Sequence, residues 1–174
     1  MKPLIQWLAG IALILSCGLT HASSPQEISW PDLVPEGAPP PPPPIPLHDL
    51  SQLGNALSEE YGPATPQQMP DQPVVEALDG QYVKIPGYIV PLDMSAEGRV
   101  IEFLLVPYYG ACIHVPPPPS NQIIHATTEL GVRVDALYEP FWVEGIMTVE
   151  KRTSELAETG YAIEAEQIYS YNLE

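Results

Sequence analysis

Gln81-Tyr-Val-Lys-Ile-Pro-Gly-Tyr-Ile-Val-Pro-Leu-Asp93 is the stretch whose reading decides the fold. Its apolar side chains alternate, with Val83, Ile85 and Ile89 on one face and Lys84 on the other. That is the period of two of a half-buried strand, not the 3.6 of a helix. Gly87 stands where a long strand can coil or bulge, as strands must in a small barrel. Pro86 and Pro91 each remove a backbone donor, so the expectation is an edge or interrupted strand.

Outward from this strand the pattern repeats. Ser95-Ala-Glu-Gly98 reads as a turn, and Val100-Ile-Glu-Phe-Leu-Leu-Val106 is an apolar run suited to a buried strand. Gln122-Ile-Ile-His-Ala-Thr-Thr128 reads as a third strand, Phe141 to Glu150 as a fourth with Gly145 at its centre, and Tyr161 to Tyr169 as a fifth. Thr153-Ser-Glu-Leu-Ala-Glu-Thr-Gly160 reads as one or two helical turns stopped by glycine. The expected fold is mostly β: a single small OB-like five-stranded barrel over residues 74–174, with a short β-sandwich or another small barrel as the alternative.

The other end of the chain is different. Of 23 prolines, 14 fall between Pro25 and Pro73, which makes residues 23–73 a proline-rich linker or arm. Within it Ile28-Ser-Trp-Pro-Asp-Leu-Val-Pro-Glu36 is a short patch with an exposed-looking Trp30 and Leu33. Pro39–Pro44 predicts a stiff polyproline II rod, read as a spacer or docking ligand or as a plain arm laid along the domain. Leu50, Leu53 and Leu57 share one face of a two-turn helix.

Residues 1–22 read as a secretory signal: Lys2, an uncharged apolar run from Leu4 to Leu19, then Thr20-His-Ala22 with small residues at the cleavage positions. Processing at Cys17, in Leu13-Ile-Leu-Ser-Cys17, is the rival outcome and would leave a lipoprotein anchored to a membrane. Either route exports the protein, and a periplasmic location is expected. Without Lys2 the chain has five basic and 22 acidic side chains, a net charge of -17. Such a chain repels phosphate backbones and anionic bilayers, so no nucleic acid partner is expected, and membrane contact only through a lipidated Cys17. An acidic surface of this kind serves solubility, collects cations, or meets a basic partner.

Chemistry concentrates in Val106-Pro-Tyr-Tyr-Gly-Ala-Cys-Ile-His-Val-Pro-Pro-Pro-Pro-Ser-Asn-Gln122. After export Cys112 has no disulfide partner in the chain. In an extended segment Cys112 and His114 leave on the same side, roughly 7 Å apart. His125 follows beyond the proline run Pro116–Pro119. A thiolate with two imidazoles suits zinc or copper and leaves a coordination position open, with Glu102 the nearest acidic candidate for a fourth ligand. The candidate metal ligands are therefore Cys112, His114 and His125, and zinc is the expected cofactor. The structural alternative treats Cys112 as a small buried hydrophobe and His125 as a satisfied sheet residue. A thiol enzyme, with Cys112 activated by His114 or His125 and oriented by Asn121, is a further alternative, though no signature of a nucleophilic cysteine surrounds it. No catalytic residue is assigned and the chain reads as a non-enzyme. Tyr108, Tyr109, Pro116, Pro117, Pro118, Pro119 and Asn121 form the expected partner-binding surface, aromatic and stiff. Asn121 and Gln122 are expected to tie the loop through side-chain bonds to backbone.

Ile28-Ser-Trp-Pro-Asp-Leu-Val-Pro35, Ile85-Pro-Gly-Tyr-Ile-Val-Pro-Leu92, the run Phe103 to Gln122 with its Gly-Ala-Cys-Ile-His-Val-Pro core, and Trp142-Val-Glu-Gly145 resemble a small exported bacterial family of unknown function. The resemblance spans nearly all of the mature chain. It implies a periplasmic accessory protein encoded beside an ABC-type transporter and a second, histidine-rich periplasmic protein, in gene sets linked to zinc supply, and so metal handling or partnership with the transporter or with a periplasmic metal-binding protein. On that resemblance the expected function is service to a transition-metal uptake system, by binding metal or a transporter partner at the Cys112/His114 loop. The metal-free alternative is an OB-type interaction module.

Overall fold

The structure is a computed structural model that describes residues 24–38, 67, 69–112 and 116–171. The expected leader over residues 1–22, Cys17, the expected rod over Pro39–Pro44, the helix expected over 50–57 and His114 lie outside the described residues. The strands are β1 (Gln26–Glu27), β2 (Tyr82–Met94), β3 (Arg99–Val106), β4 (Ile124–Arg133), β5 (Phe141–Thr148), β6 (Arg152–Thr153), β7 (Glu158–Thr159) and β8 (Tyr161–Ser170).

β2 closes the barrel by pairing twice. Its first half, Tyr82 to Gly87, runs antiparallel to β5, and its second half, Tyr88 to Met94, antiparallel to β3. The sheet continues from β3 to β4, then to β8 in parallel and back to β5 antiparallel, giving a closed five-stranded mixed barrel with β1 as an added strand. This is the OB-like architecture the alternation predicts. The prolines do not interrupt β2. Pro86 faces Trp142 of β5, Pro91 faces Phe103 of β3, and β1 reaches only as far as Lys84 on the opposite flank. Each proline therefore sits where one flank of the strand is unpaired and a missing donor is tolerated.

The two mid-strand glycines are required by close approach. A Cβ on Gly145 would lie 2.0 Å from the Glu164 carbonyl oxygen, at the point where the β5–β8 register shifts. One on Gly87 would lie 2.9 Å from both Leu105 Cγ and the Val106 oxygen. Inside, Val83, Ile85, Phe103, Leu105, Ile124, Met147 and Ile163 fill the barrel.

Two expectations are corrected. Thr153 to Gly160 forms no helix; β6 and β7 make a small hairpin. The Ser154 hydroxyl accepts from the backbone N–H of Leu156 (3.3 Å) and Ala157 (3.1 Å), offering those donors a local alternative to helix. The second concerns the arm. Residues 24–38 belong to the domain: Leu33 is fully buried and Ile28 nearly so. Trp30 donates its indole N–H to the Pro86 carbonyl (2.7 Å), filling an acceptor left on the free flank of β2. Tyr161, buried in the barrel, donates its hydroxyl to the Leu33 carbonyl (2.7 Å) and accepts from Val75 N–H (2.7 Å). Sequence pattern placed the packed domain from residue 74 because nothing local in a proline-rich segment announces a partner surface elsewhere in the chain.

Candidate functional site

The outer face of β3 and β4 carries the residues singled out by chemistry. Leu104 and His125 are register partners, and Val90, Leu104, Val106, Ala111, Cys112, Ile123 and Ala157 form a second apolar cluster. The segment after β3 and the β6–β7 hairpin thus lie over the face through Ala111, Cys112 and Ala157. In OB-like barrels the equivalent strand pair usually holds the ligand; here the chain's own residues occupy much of it.

Cys112 sits in a left-handed conformation (φ 65°), the one non-glycine residue among those described with positive φ. It is buried, and burial pushes its thiol up from 9.0 to about 12. A reactive or ligating cysteine needs the opposite, a cation or metal that draws the thiolate down. Tyr108, packed on the same cluster, has its phenol raised by burial and by the thiol.

His125 is buried and both ring nitrogens are engaged. Nε2 lies 2.8 Å from Glu102 Oε1 and Nδ1 lies 3.4 Å from an Arg152 guanidinium nitrogen. With Arg152 donating to Nδ1, the ring proton sits on Nε2 and is donated to Glu102. Arg152 in turn donates to Glu150 (2.9 and 3.1 Å). Glu102, a candidate fourth metal ligand by sequence, is thus the partner of His125. Arg152 was missed, because nothing local in the sequence links positions 27 residues apart. Glu102 also borders an open cleft of about 270 Å³ lined with Ile101, Thr127, Thr128, Glu129 and Glu164. Among the described residues no group of three His, Cys, Asp or Glu side chains is arranged to hold a metal ion.

The DUF3299 sequence pattern, described as a protein of unknown function, matches residues 30–170. The chain belongs to the DUF3299 family. It is similar to a DUF3299 family protein from Pseudomonas aeruginosa PAO1 whose crystal structure was determined at 2.45 Å resolution, with 58% identity over 87% of this chain and 99% of the other, and a TM-score of 0.77. No curated protein matches the chain.

In this DUF3299 barrel the expected partner surface divides in two. Pro117, Pro118, Pro119 and Asn121 are buried, which corrects their reading as an exposed docking surface. Their partner is the chain's own N-terminal segment. Asn121 Nδ2 donates to the Pro73 carbonyl (2.9 Å), Gln122 Nε2 to that of Trp30 (2.9 Å), Ser120 N–H to that of Met69 (3.0 Å), and Gln67 Nε2 to that of Pro118 (2.8 Å). Asn121 and Gln122 do tie backbone, as expected, but backbone 48 and 92 residues away. Proline-rich strands of chain bring carbonyls without donors, and these amides supply them. The tyrosines behave otherwise. Tyr109 is 53% exposed and meets Tyr88 edge to face, with ring centroids 5.9 Å apart. Tyr108 is half-buried beside it.

Proposed function

We propose that this DUF3299 protein is a non-enzymatic accessory protein of a transition-metal, zinc-linked uptake system, exported to the periplasm. It acts by docking a transporter component or a periplasmic metal-binding protein through the tyrosine rim Tyr88, Tyr108 and Tyr109. One observation carries the docking reading: Tyr109 stands exposed on the half-buried Tyr88 and Tyr108 while the neighbouring chemistry is closed. Cys112 is held as a neutral thiol, and His125 is committed to Glu102 and Arg152. An edge-to-face tyrosine pair offers broad, rigid, amphipathic contact at low entropic cost. The zinc link and the identity of the partners rest on the family resemblance, and export rests on the leader.

A metal site at Cys112 and His114 is the second reading, favoured by the strained backbone at Cys112, since residues held at positive φ gather at functional sites. Calorimetric zinc titration of the metal-stripped mature protein under reducing conditions separates the two. The docking reading expects no sub-micromolar site. A tight site lost in Cys112→Ala would replace it with metal handling. In parallel, a photo-crosslinking amino acid at position 109 should capture a transporter component or periplasmic metal-binding protein in the producing cell. Capture of neither, with the protein abundant in its compartment, would sink the rim as a docking surface.

A further inference from the structure

The outer face of β2, β5 and β8 is built as three cross-sheet rows: Tyr82, Ile146 and Glu164; Lys84, Glu144 and Gln167; Pro86, Trp142 and Tyr169. Their strand neighbours Val83, Ile85, Val143 and Met147 lie in the core, so these rows face outward. Ile146 and Tyr169 are 44% and 41% exposed. Trp142 packs against Tyr171 with centroids 5.1 Å apart, and Lys84 Nζ stands 4.7 Å from the Trp142 ring centroid. The platform therefore already holds one cation by its ring face.

A second observation is independent of the aromatic rings. Glu144 is 7% exposed, yet its described partners are two neutral donors on the same oxygen, the Tyr82 hydroxyl (2.8 Å) and the Gln167 amide (3.3 Å). A buried carboxylate is ordinarily paired with a cation. Lys84, its register partner, stands within electrostatic reach of Glu144 but forms its direct ion pair with Glu27 (3.0 Å). The Oε2 of Glu144 takes no hydrogen bond from the described residues and is not sealed from solvent, so it is open to a visiting donor, and exposed Glu164 and Glu166 stand on the adjacent strand. The whole mature chain is strongly acidic, so electrostatics favours a basic visitor. Residues 39–66 contain no Lys or Arg, and a second copy of the chain is equally acidic, so neither is the basic visitor.

We infer that this face docks a basic segment of a partner protein, whose Arg or Lys side chains stack on Trp142 and Tyr169 and are met by Glu144, Glu164 and Glu166. Trp142, Glu144 and Ile146 are spaced two residues apart along β5, ~7 Å per step, the spacing of same-side side chains in an extended partner. The inference does not rest on the tyrosine rim, and a protein with both surfaces can link two components.

The probe is a capped peptide, acetyl-Ala-Arg-Ala-Arg-Ala-Arg-Ala-amide, titrated into the mature protein at low salt and followed by amide NMR shifts. Shifts should centre on β5 and β8. Binding should weaken at least ~10-fold in Trp142→Ala and in the double variant Glu164→Lys/Glu166→Lys, whose positions are exposed and leave the fold intact. Glu97→Lys/Glu155→Lys, the same charge change on exposed turns elsewhere, should weaken it less than ~3-fold, and Tyr109→Ala should leave it unchanged. Equal losses in the two charge-reversal pairs, no shifts at β5 and β8, or a sedimentation shift showing this face buried in a homodimer would each overturn the inference.

Discussion

Leu33→Ala tests whether the N-terminal segment is part of the domain. Leu33 is fully buried although it lies 48 residues before Gln81, where alternation first predicts a strand. Removing its side chain beyond Cβ forfeits roughly 2 kcal/mol of transfer free energy. The cavity left behind adds about 24 cal/mol for each Å³ that does not collapse. Collapse is limited here, because the Leu33 carbonyl is held by the Tyr161 hydroxyl at 2.7 Å and the preceding turn is fixed by Asp32, whose carboxylate accepts from Ser29 N–H (2.8 Å) and Oγ (2.6 Å). The expected loss is about 2–5 kcal/mol, with a Tm lower by on the order of 10 °C. Equilibrium urea unfolding of the protein without residues 1–22 and of its variant measures it, with the slope m as a check that the two transitions expose the same surface. A loss below about 0.5 kcal/mol is what an exposed site on a loosely laid arm would give, and it would refute the assignment of residues 24–38 to the core.

Gly145→Ala should be strongly destabilising, by more than about 3 kcal/mol, because the new Cβ would meet the Glu164 carbonyl oxygen at 2.0 Å and β8 must shift; thermal unfolding of the variant checks this, and a Tm within a few degrees of wild type would mean that the bulge can absorb a methyl group. Cys112 predicts a pH dependence. Its unfolded-state thiol ionises near 9.0 while the folded one holds its proton to about 12, so above pH 9 the native state binds more protons and stability falls as pH rises. The thiol's share of that fall approaches about 1.4 kcal/mol per pH unit in this window and is absent below it. Urea unfolding of wild type and Cys112→Ala should therefore run parallel up to pH 9 and converge or cross above it. Parallel curves through pH 11 would show that the thiol is not buried in solution.

The strands were legible because alternation is a local property: Val83, Ile85 and Ile89 announce a face whatever they pack against. The barrel was legible because five such strands, two with central glycines, have few other ways to bury their apolar faces. What Pro86 and Leu33 do, and which distant carbonyl Asn121 reaches, was not legible. Pro86 sits inside a continuous strand because β2 changes neighbours halfway along, a fact of closure and not of composition. The candidate site divided the same way. Tyr109, Cys112 and His125 could be singled out as chemistry-bearing residue types, but their surroundings decide what each can do. Glu102 and Arg152 reach His125 across strand pairing and hairpin packing, and an apolar cluster keeps the Cys112 thiol protonated. By itself, then, the sequence determined where the chain is extended, where it turns, and how acidic it is, since periodicity, turn chemistry and charge are carried by neighbouring residues. Which prolines are buried, which amides hold the N-terminal segment, and which rings remain exposed were decided only by the tertiary structure, because burial depends on what distant parts of the chain bring to the same place.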